Sequence, residues 1–102
     1  MAETMYCYLW EYEVRPDAIQ AFEDAYGRLG AWVRLFECDK QYVRTELLRD
    51  RDRPGRYVTI DYWFSRDACE AFRVRHKTEF EAMDKACAAL TIREQHLGDF
   101  DF

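Results

Sequence analysis

The chain has 102 residues, 49% of them apolar and 34% charged, which is the composition of an ordinary soluble domain with one hydrophobic core. The net charge of −5 argues against a nucleic-acid-binding protein, because such proteins usually carry a basic surface for the phosphates. No apolar stretch approaches the roughly 20 residues that span a bilayer, and the first residues lack the basic segment of a secretory signal. We therefore expect a single cytoplasmic domain over residues 1–102, without membrane contact.

The aromatic content is high, at 17% of the chain, and exceeds what one small core usually needs. Some of the rings are therefore expected to line a pocket or a subunit interface. The four cysteines, by contrast, are widely spaced without a Cys-x-x-Cys pair, so they indicate neither a metal site nor a redox motif. No glycine-rich nucleotide fingerprint is present. The sequence predicts no metal and no bound cofactor.

The first half of the chain predicts a strand followed by a broken helix. Residues 5–14 alternate with the strand period of two, and the aromatic side is formed by Tyr6, Tyr8, Trp10 and Tyr12. Apolar residues then recur at spacings of three and four over about 17–37, which predicts a helix. Gly27 and Gly30 weaken its middle by about 1 kcal/mol each, so we expect a kink or two pieces.

The second half predicts a hairpin, a long helix and a last strand. Residues 42–49 and 57–64 are the hairpin strands, joined by a turn that contains Pro54-Gly55. A helix follows over 66–88, then a strand over 89–96, and residues 97–102 are expected to fray or to extend over a neighbour. This order is βαββαβ, a ferredoxin-like α+β fold with a four-stranded antiparallel sheet and both helices on one face.

The other face of the predicted sheet has no cover of its own. Strands 1 and 3 nevertheless carry large side chains on both faces of the sheet. In strand 1, Trp10 and its neighbour Leu9 point to different faces, and in strand 3 the neighbours Trp63 and Tyr62 do the same. An exposed apolar face usually marks an interface. Because two such sheets can pair face to face about a twofold axis, we expect a homodimer.

A family resemblance covers about residues 6–96. The hairpin, TELLRD followed by PGRYVTIDYW, is similar to the central hairpin of the antibiotic biosynthesis monooxygenase family. Asp61-x-Trp63, which leads into a helix bearing His76, resembles the family's acidic-x-Trp strand end. Members of this family are dimeric α+β barrels, and they include cofactor-independent oxygenases of polycyclic phenols, quinol monooxygenases and haem-degrading enzymes. The resemblance implies a pocket between the helices and the sheet.

Three residues are candidates for catalysis. His76 lies on the apolar stripe of the second helix, where it could deprotonate a bound phenol near neutral pH or could be an ordinary core histidine. Trp63 could stack on a flat ligand and donate its indole N–H to a developing oxyanion, or could serve only in packing. Asp61 could be a buried base with a raised pKa, but pairing with an arginine in the dimer interface is the favoured interpretation.

The predicted pocket lining is aromatic. It consists of Phe72 and Phe80 on the second helix, Tyr8 and Trp10 on the first strand, and Trp32 and Phe36 after the glycines. Trp32 and Phe36 could form a mobile lid, although a kink that only fits the packing is the simpler interpretation. The basic residues of the second helix, Arg73, Arg75 and Lys77, are interpreted as its solvent-facing side.

The sequence leaves three functions open. The leading hypothesis is a cofactor-free monooxygenase that acts with dioxygen on an electron-rich aromatic such as a hydroquinone or polycyclic phenol. The alternative is a non-catalytic dimeric protein that binds a small aromatic ligand or serves as an accessory subunit. Haem binding through His76 ranks last, because the chain has no Asn to complete the Asn, His and Trp set of haem-degrading members.

Overall fold

The computed structural model describes residues 5–101, and its four strands form one antiparallel sheet. The strands are β1 (Tyr6–Val14), β2 (Tyr42–Arg49), β3 (Arg56–Trp63) and β4 (Thr91–Asp101), in the order β2-β3-β1-β4. The helices are α1 (Ile19–Tyr26), α2 (Ala31–Phe36), α3 (Arg66–Arg75) and α4 (Lys77–Cys87). The fold is the predicted ferredoxin-like α+β arrangement, with the helices on one face. No helix within residues 5–101 is long and apolar enough to cross a membrane.

The two central strands bury one face each. On β3 every second residue is buried, namely Tyr57, Thr59, Asp61 and Trp63, and these pair across the sheet with the buried aromatic side of β1. Tyr8 lies opposite Asp61, and Tyr6 lies opposite Trp63. Asp61 and Trp63 therefore point toward the helices. The favoured interpretation of Asp61 as an interface residue is wrong, because the outer face carries the other set of side chains.

The predicted break in the first helical region lies between Gly27 and Gly30. A side chain at Gly30 would place its Cβ 2.4 Å from the Ala25 carbonyl oxygen, closer than any real contact. This close approach of backbone to backbone is available only to glycine. It turns the chain so that α2 directs Trp32 and Phe36 back toward the sheet, where both are buried.

The second helical region and the last strand differ from the prediction. A single helix was expected over 66–88, but it is divided at His76, whose φ of −111° and ψ of 30° are not helical. The strand expected over 89–96 begins at Thr91, after a short 3₁₀ turn over 88–90, and continues to Asp101. Residues 98–101 thus pair with β1 rather than fray. Residues 1–4 and Phe102 lie outside the described part of the chain.

The buried residues form one core, and two of its aromatic clusters lie near opposite ends of β3. The first contains Phe22, Tyr26 and Tyr57, with the rings of Phe22 and Tyr26 stacked 4.3 Å apart. The second surrounds Trp63, which is completely buried among Phe36, Tyr42 and Phe72. Close-packed rings at both ends hold the helices at a fixed height above the sheet, and this spacing creates the room between the clusters.

The start of α3 supports a test of local stability. The Ser65 hydroxyl accepts a hydrogen bond of 3.1 Å from the backbone N–H of Ala68 and thereby caps the helix. We expect Ser65→Ala to lower the free energy of unfolding by about 1 kcal/mol. Ser65→Thr, which keeps the hydroxyl acceptor, should lose much less. Urea denaturation of the three proteins measures the difference, and equal losses in both variants would show that the cap is not the cause.

Candidate functional site

A cavity of about 220 Å³ lies between the sheet and the helices. All eight elements contribute to its lining: Tyr8, Trp10, Tyr12, Tyr26, Trp32, Phe36, Thr45, Thr59, Asp61, Arg73, Phe80, Asp84 and Glu94. The walls are mainly aromatic, with a few polar groups directed inward, as is usual for a small-ligand site. Two of the inner positions on the sheet are threonines, Thr45 and Thr59, and these small side chains leave the volume that a larger residue would fill.

Asp61 is the buried carboxylate of the cavity, with 7% of its surface exposed. It lies opposite Thr45 on β2, and the Thr45 hydroxyl donates a hydrogen bond to it. The Tyr42 hydroxyl lies 2.6 Å from Thr45 Oγ1. Since the Thr45 proton is directed to Asp61, Tyr42 donates to Thr45, and the three groups form a chain of hydrogen bonds that ends on the carboxylate.

Burial raises the pKa of Asp61 to about 6, because a carboxylate in an apolar surrounding loses the hydration of its charged form. The hydrogen bond from Thr45, the positive charge of Arg73 and a hydrogen bond with Tyr8 act in the opposite direction. The result is a carboxylate that is ionised at neutral pH yet is a stronger base than an ordinary aspartate. Such a group, placed in a cavity, is suited to accept a proton from a ligand.

Arg73 brings a positive charge to the same end of the cavity. Its guanidinium carbon lies 5.0 Å from the centre of the Tyr8 ring and 5.4 Å from that of the Phe80 ring. These distances are typical of cation–π contacts. The interpretation of Arg73 as part of the solvent-facing side of its helix is therefore wrong for its charged end, although the residue as a whole keeps substantial exposure.

The opposite end of the cavity is acidic. Glu94 lies beside Tyr12 in the sheet, which is four residues along β1 from Tyr8 and therefore about 13 Å from the Asp61 end. Burial, followed by the nearby charge of Asp84, raises the pKa of Glu94. The two ends of the cavity thus differ in charge: one has a carboxylate beside a guanidinium, and the other has two carboxylates.

Six of the residues proposed from the sequence line this cavity, and three do not. Those that line it are Asp61, Tyr8, Trp10, Trp32, Phe36 and Phe80. Trp63 and Phe72 are fully buried in the second aromatic cluster, and no other group within residues 5–101 accepts a hydrogen bond from the Trp63 indole N–H. His76 stacks on Phe72 at 4.7 Å and pairs with Glu79 at 3.1 Å, away from the cavity. The helix break at His76 places its ring at the start of α4, beside Glu79.

Several lining residues were not identified from the sequence. Thr59 could have been found, because it shares the face of Asp61 by the strand period of two. Thr45 was hidden by a register shift between Tyr42 and Arg44, which changes the face that later residues of β2 occupy. Nothing in the pattern of α3 distinguishes Arg73 from the exposed arginines near it.

The fold and the cavity define a class of protein: a ferredoxin-like α+β domain with an aromatic-lined cavity between its sheet and its helices. The family model of the antibiotic biosynthesis monooxygenases matches residues 5–85. The chain belongs to this family. No curated protein sequence matches it significantly.

Several solved structures superpose on this chain over nearly its whole length. A mutant of SnoaB, a cofactor-independent oxygenase from Streptomyces nogalater, superposes with a TM-score of 0.80 at 26% identity, over 95% of this chain and 91% of that chain. A putative antibiotic biosynthesis monooxygenase from Bordetella bronchiseptica gives 0.75 at 21% identity, over 96% of each chain. One from Nitrosomonas europaea gives 0.74 at 16% identity, over 100% and 93%. The last two show a common fold only.

The raised pKa of Asp61 predicts a pH-dependent cost in stability. The folded protein holds the Asp61 proton up to about pH 6, whereas an unfolded aspartate releases it near its ordinary value of 3.8. Stability is therefore lost as the pH rises through this window, by about 3 kcal/mol in all. Asp61→Asn has no carboxyl group to ionise and should not show this loss. The unfolding free energy of the variant relative to that of the wild type should therefore be higher at pH 8 than at pH 4. Urea denaturation at both values measures it.

The matched control for this experiment is Asp17→Asn, which changes an aspartate that is 79% exposed in its side chain. Because this side chain is exposed, the substitution should change the unfolding free energy only slightly. A pH-independent effect of Asp61→Asn would mean that Asp61 ionises in the folded protein as it does in water.

Proposed function

We propose that this protein is a cofactor-independent monooxygenase that oxidises an electron-rich aromatic, a hydroquinone or a polycyclic phenol, with dioxygen. The observation that carries the proposal is the buried base Asp61 at one end of an aromatic cavity. Membership of the antibiotic biosynthesis monooxygenase family and the likeness to SnoaB support it. The aromatic walls, Trp10, Trp32, Phe36 and Phe80, offer flat apolar surface on which an aromatic ring can stack.

The reaction balances without any further reductant. Asp61 removes the phenolic proton, and the resulting phenolate is electron-rich enough to give an electron to dioxygen. Recombination forms a carbon–oxygen bond, and cleavage of the oxygen–oxygen bond leaves one oxygen atom on the ring, which becomes a quinone. The other oxygen leaves as water, with the ring proton and the proton that Asp61 had taken. The substrate loses four electrons and dioxygen gains four.

The protein's contribution is a base, a fixed orientation and a dry surrounding. Positioning the phenol against Asp61 makes the proton transfer effectively intramolecular. The apolar walls exclude water, which would otherwise separate the radical pair or protonate the phenolate. In this proposal the base is Asp61 rather than His76, because the His76 ring lies outside the cavity on Phe72.

Oxygen consumption by the purified protein tests the proposal. With a panel of hydroquinones and naphthols, uptake should exceed the rate without protein. Asp61→Asn should lower kcat/KM by a factor of about 100 to 10,000, the usual contribution of a general base. In the wild type, kcat/KM should rise about tenfold per pH unit below pH 6 and then level off, since only ionised Asp61 can accept the proton. The Asn variant should lack this rise.

His76→Ala serves as the comparison that separates the two candidate bases. It should keep most of the activity and the same pH profile, because its ring contacts Phe72 and Glu79 rather than the cavity. Loss of activity in His76→Ala with full activity in Asp61→Asn would transfer the role to His76. Absence of uptake across the whole panel would contradict the oxygenase proposal.

We also propose that the protein acts as a homodimer joined through the outer face of its sheet. That face carries the half-buried side chains of Leu9, Val58 and Ile60 on the central strands. Leu48 and Phe100, on the two edge strands, are each 49% exposed and extend the same apolar surface. A patch that crosses all four strands is larger than isolated surface residues would produce, and a second copy of the sheet would bury it.

The oligomeric state in solution tests the homodimer proposal. Ile60→Lys places a charge at the centre of the outer face and should convert the dimer to a monomer in sedimentation velocity experiments. Val74→Lys is the matched control, since Val74 is 78% exposed on the helical side and should leave the dimer intact. A wild-type protein that sediments as a monomer would contradict the proposal.

A further inference from the structure

Arg73 is the one cationic side chain among the described residues that line the cavity. The other ionisable groups around it are acidic or phenolic: Asp61 on β3, Glu94 on β4, Asp84 on α4, Tyr26 on α1, and Tyr8 and Tyr12 on β1. An anion would be repelled by the carboxylates at either end unless it lay against Arg73. The cavity therefore has a single place for negative charge on a ligand.

The position of Arg73 leaves its charge available. Its guanidinium contacts the faces of Tyr8 on the sheet and Phe80 on α4, and within residues 5–101 no carboxylate forms an ion pair of 4.0 Å or less with it. It nevertheless lies close enough to Asp61 for its charge to lower the pKa of that carboxyl. The guanidinium is thus held beside the base by the two rings and by a hydrogen bond to the Tyr8 hydroxyl, and no carboxylate within residues 5–101 pairs with its N–H donors.

Proton transfer from a phenol to Asp61 needs such a charge. An ordinary phenol has a pKa of about 10, and Asp61 has one of about 6, so transfer is unfavourable by about four orders of magnitude when the phenolate is not stabilised. After transfer Asp61 is neutral, and the negative charge resides on the substrate oxygen. A positive charge within hydrogen-bonding reach of that oxygen would recover a large part of the deficit, because an opposite charge at short range commonly lowers a pKa by about one to three.

We propose that Arg73 binds the ionised oxygen of the phenolic substrate, so that the Asp61 end of the cavity is a phenolate-binding site as well as the location of the base. This inference rests on the proposed function for its substrate class. During the reaction the negative charge near Arg73 moves from the Asp61 carboxylate to the phenolate oxygen. The total charge at that end of the cavity stays the same, which keeps the step free of a large electrostatic penalty.

The probe for this site is para-nitrophenol, bound without oxygen. Only its ionised form is yellow, and its nitro group makes it too electron-poor to react as the substrate would. Titration of the bound probe against pH gives its acid dissociation constant in the wild type, Arg73→Met and Arg73→Lys. We expect Arg73→Met to lower that constant at least about tenfold, and Arg73→Lys to restore much of it because the charge is kept. Arg34→Met, on the exposed side of α2, should match the wild type.

The outcomes separate this inference from the oxygenase proposal. A bound probe whose ionisation is the same in the wild type and in Arg73→Met would overturn the role of Arg73, as would a probe that does not bind to the wild type. Oxygen uptake measured on the same preparations decides the oxygenase function independently. If the ionisation of the probe depends on Arg73 but no oxygen is taken up, the phenolate-binding role of Arg73 is supported and the oxygenase proposal is contradicted. Circular dichroism of each variant distinguishes a change in the ionisation of the bound probe from release of the probe by a protein that has lost its fold.

Discussion

One carboxylate, Asp61, is buried on the covered face of the sheet, and the arrangement of the residues around it depends on the need to stabilise its charge. A buried charge needs compensation, and here it comes from three directions: the Thr45 hydroxyl on β2, Tyr8 on β1 and the charge of Arg73 on α3. These partners lie in one row across three strands and one helix. The row is possible only with the register observed, since a slip of one residue on β3 would turn Asp61 to the outer face.

The cavity persists because the rings at its ends are packed and the residues at its centre are small. The cluster around Phe22 and Tyr57 and the cluster around Trp63 are close-packed and fix the distance between helices and sheet. Between them, the small side chains of Thr45 and Thr59 leave space below the helix residues that line the cavity. Each helical region is divided into two, at Gly27–Gly30 and at His76, and all four helices contribute side chains to the cavity lining.

The sequence predicted the order of elements from short-range periodicity, and the family resemblance implied a pocket between the helices and the sheet. Tyr8 and Trp10, which the sequence offered for the pocket wall or for a sheet-to-sheet contact, line the cavity, and the glycines marked the break before Trp32. What it could not supply was the face of the sheet, since an alternating strand with large residues on both sides fits either orientation. Nor could it locate Arg73, whose guanidinium reaches the cavity only because Tyr8 and Phe80 offer ring faces from two distant elements.

The pKa of Asp61 is set by two opposing effects: burial raises it, and hydrogen bonds together with the charge of Arg73 lower it. The balance leaves a group that is ionised at neutral pH and can still accept a proton. Burial alone would raise the pKa further, so that less of the group would be ionised at neutral pH and able to accept a proton. Full compensation by charge and hydrogen bonds would return it to its ordinary value, and the carboxylate would then be too weak a base for a phenol. Asp61 stays basic at a cost in stability, because its ionised form is better solvated in the unfolded chain. Arg73 limits that cost before the ligand arrives, and in the proposed reaction the same charge then stabilises the anion that Asp61 creates.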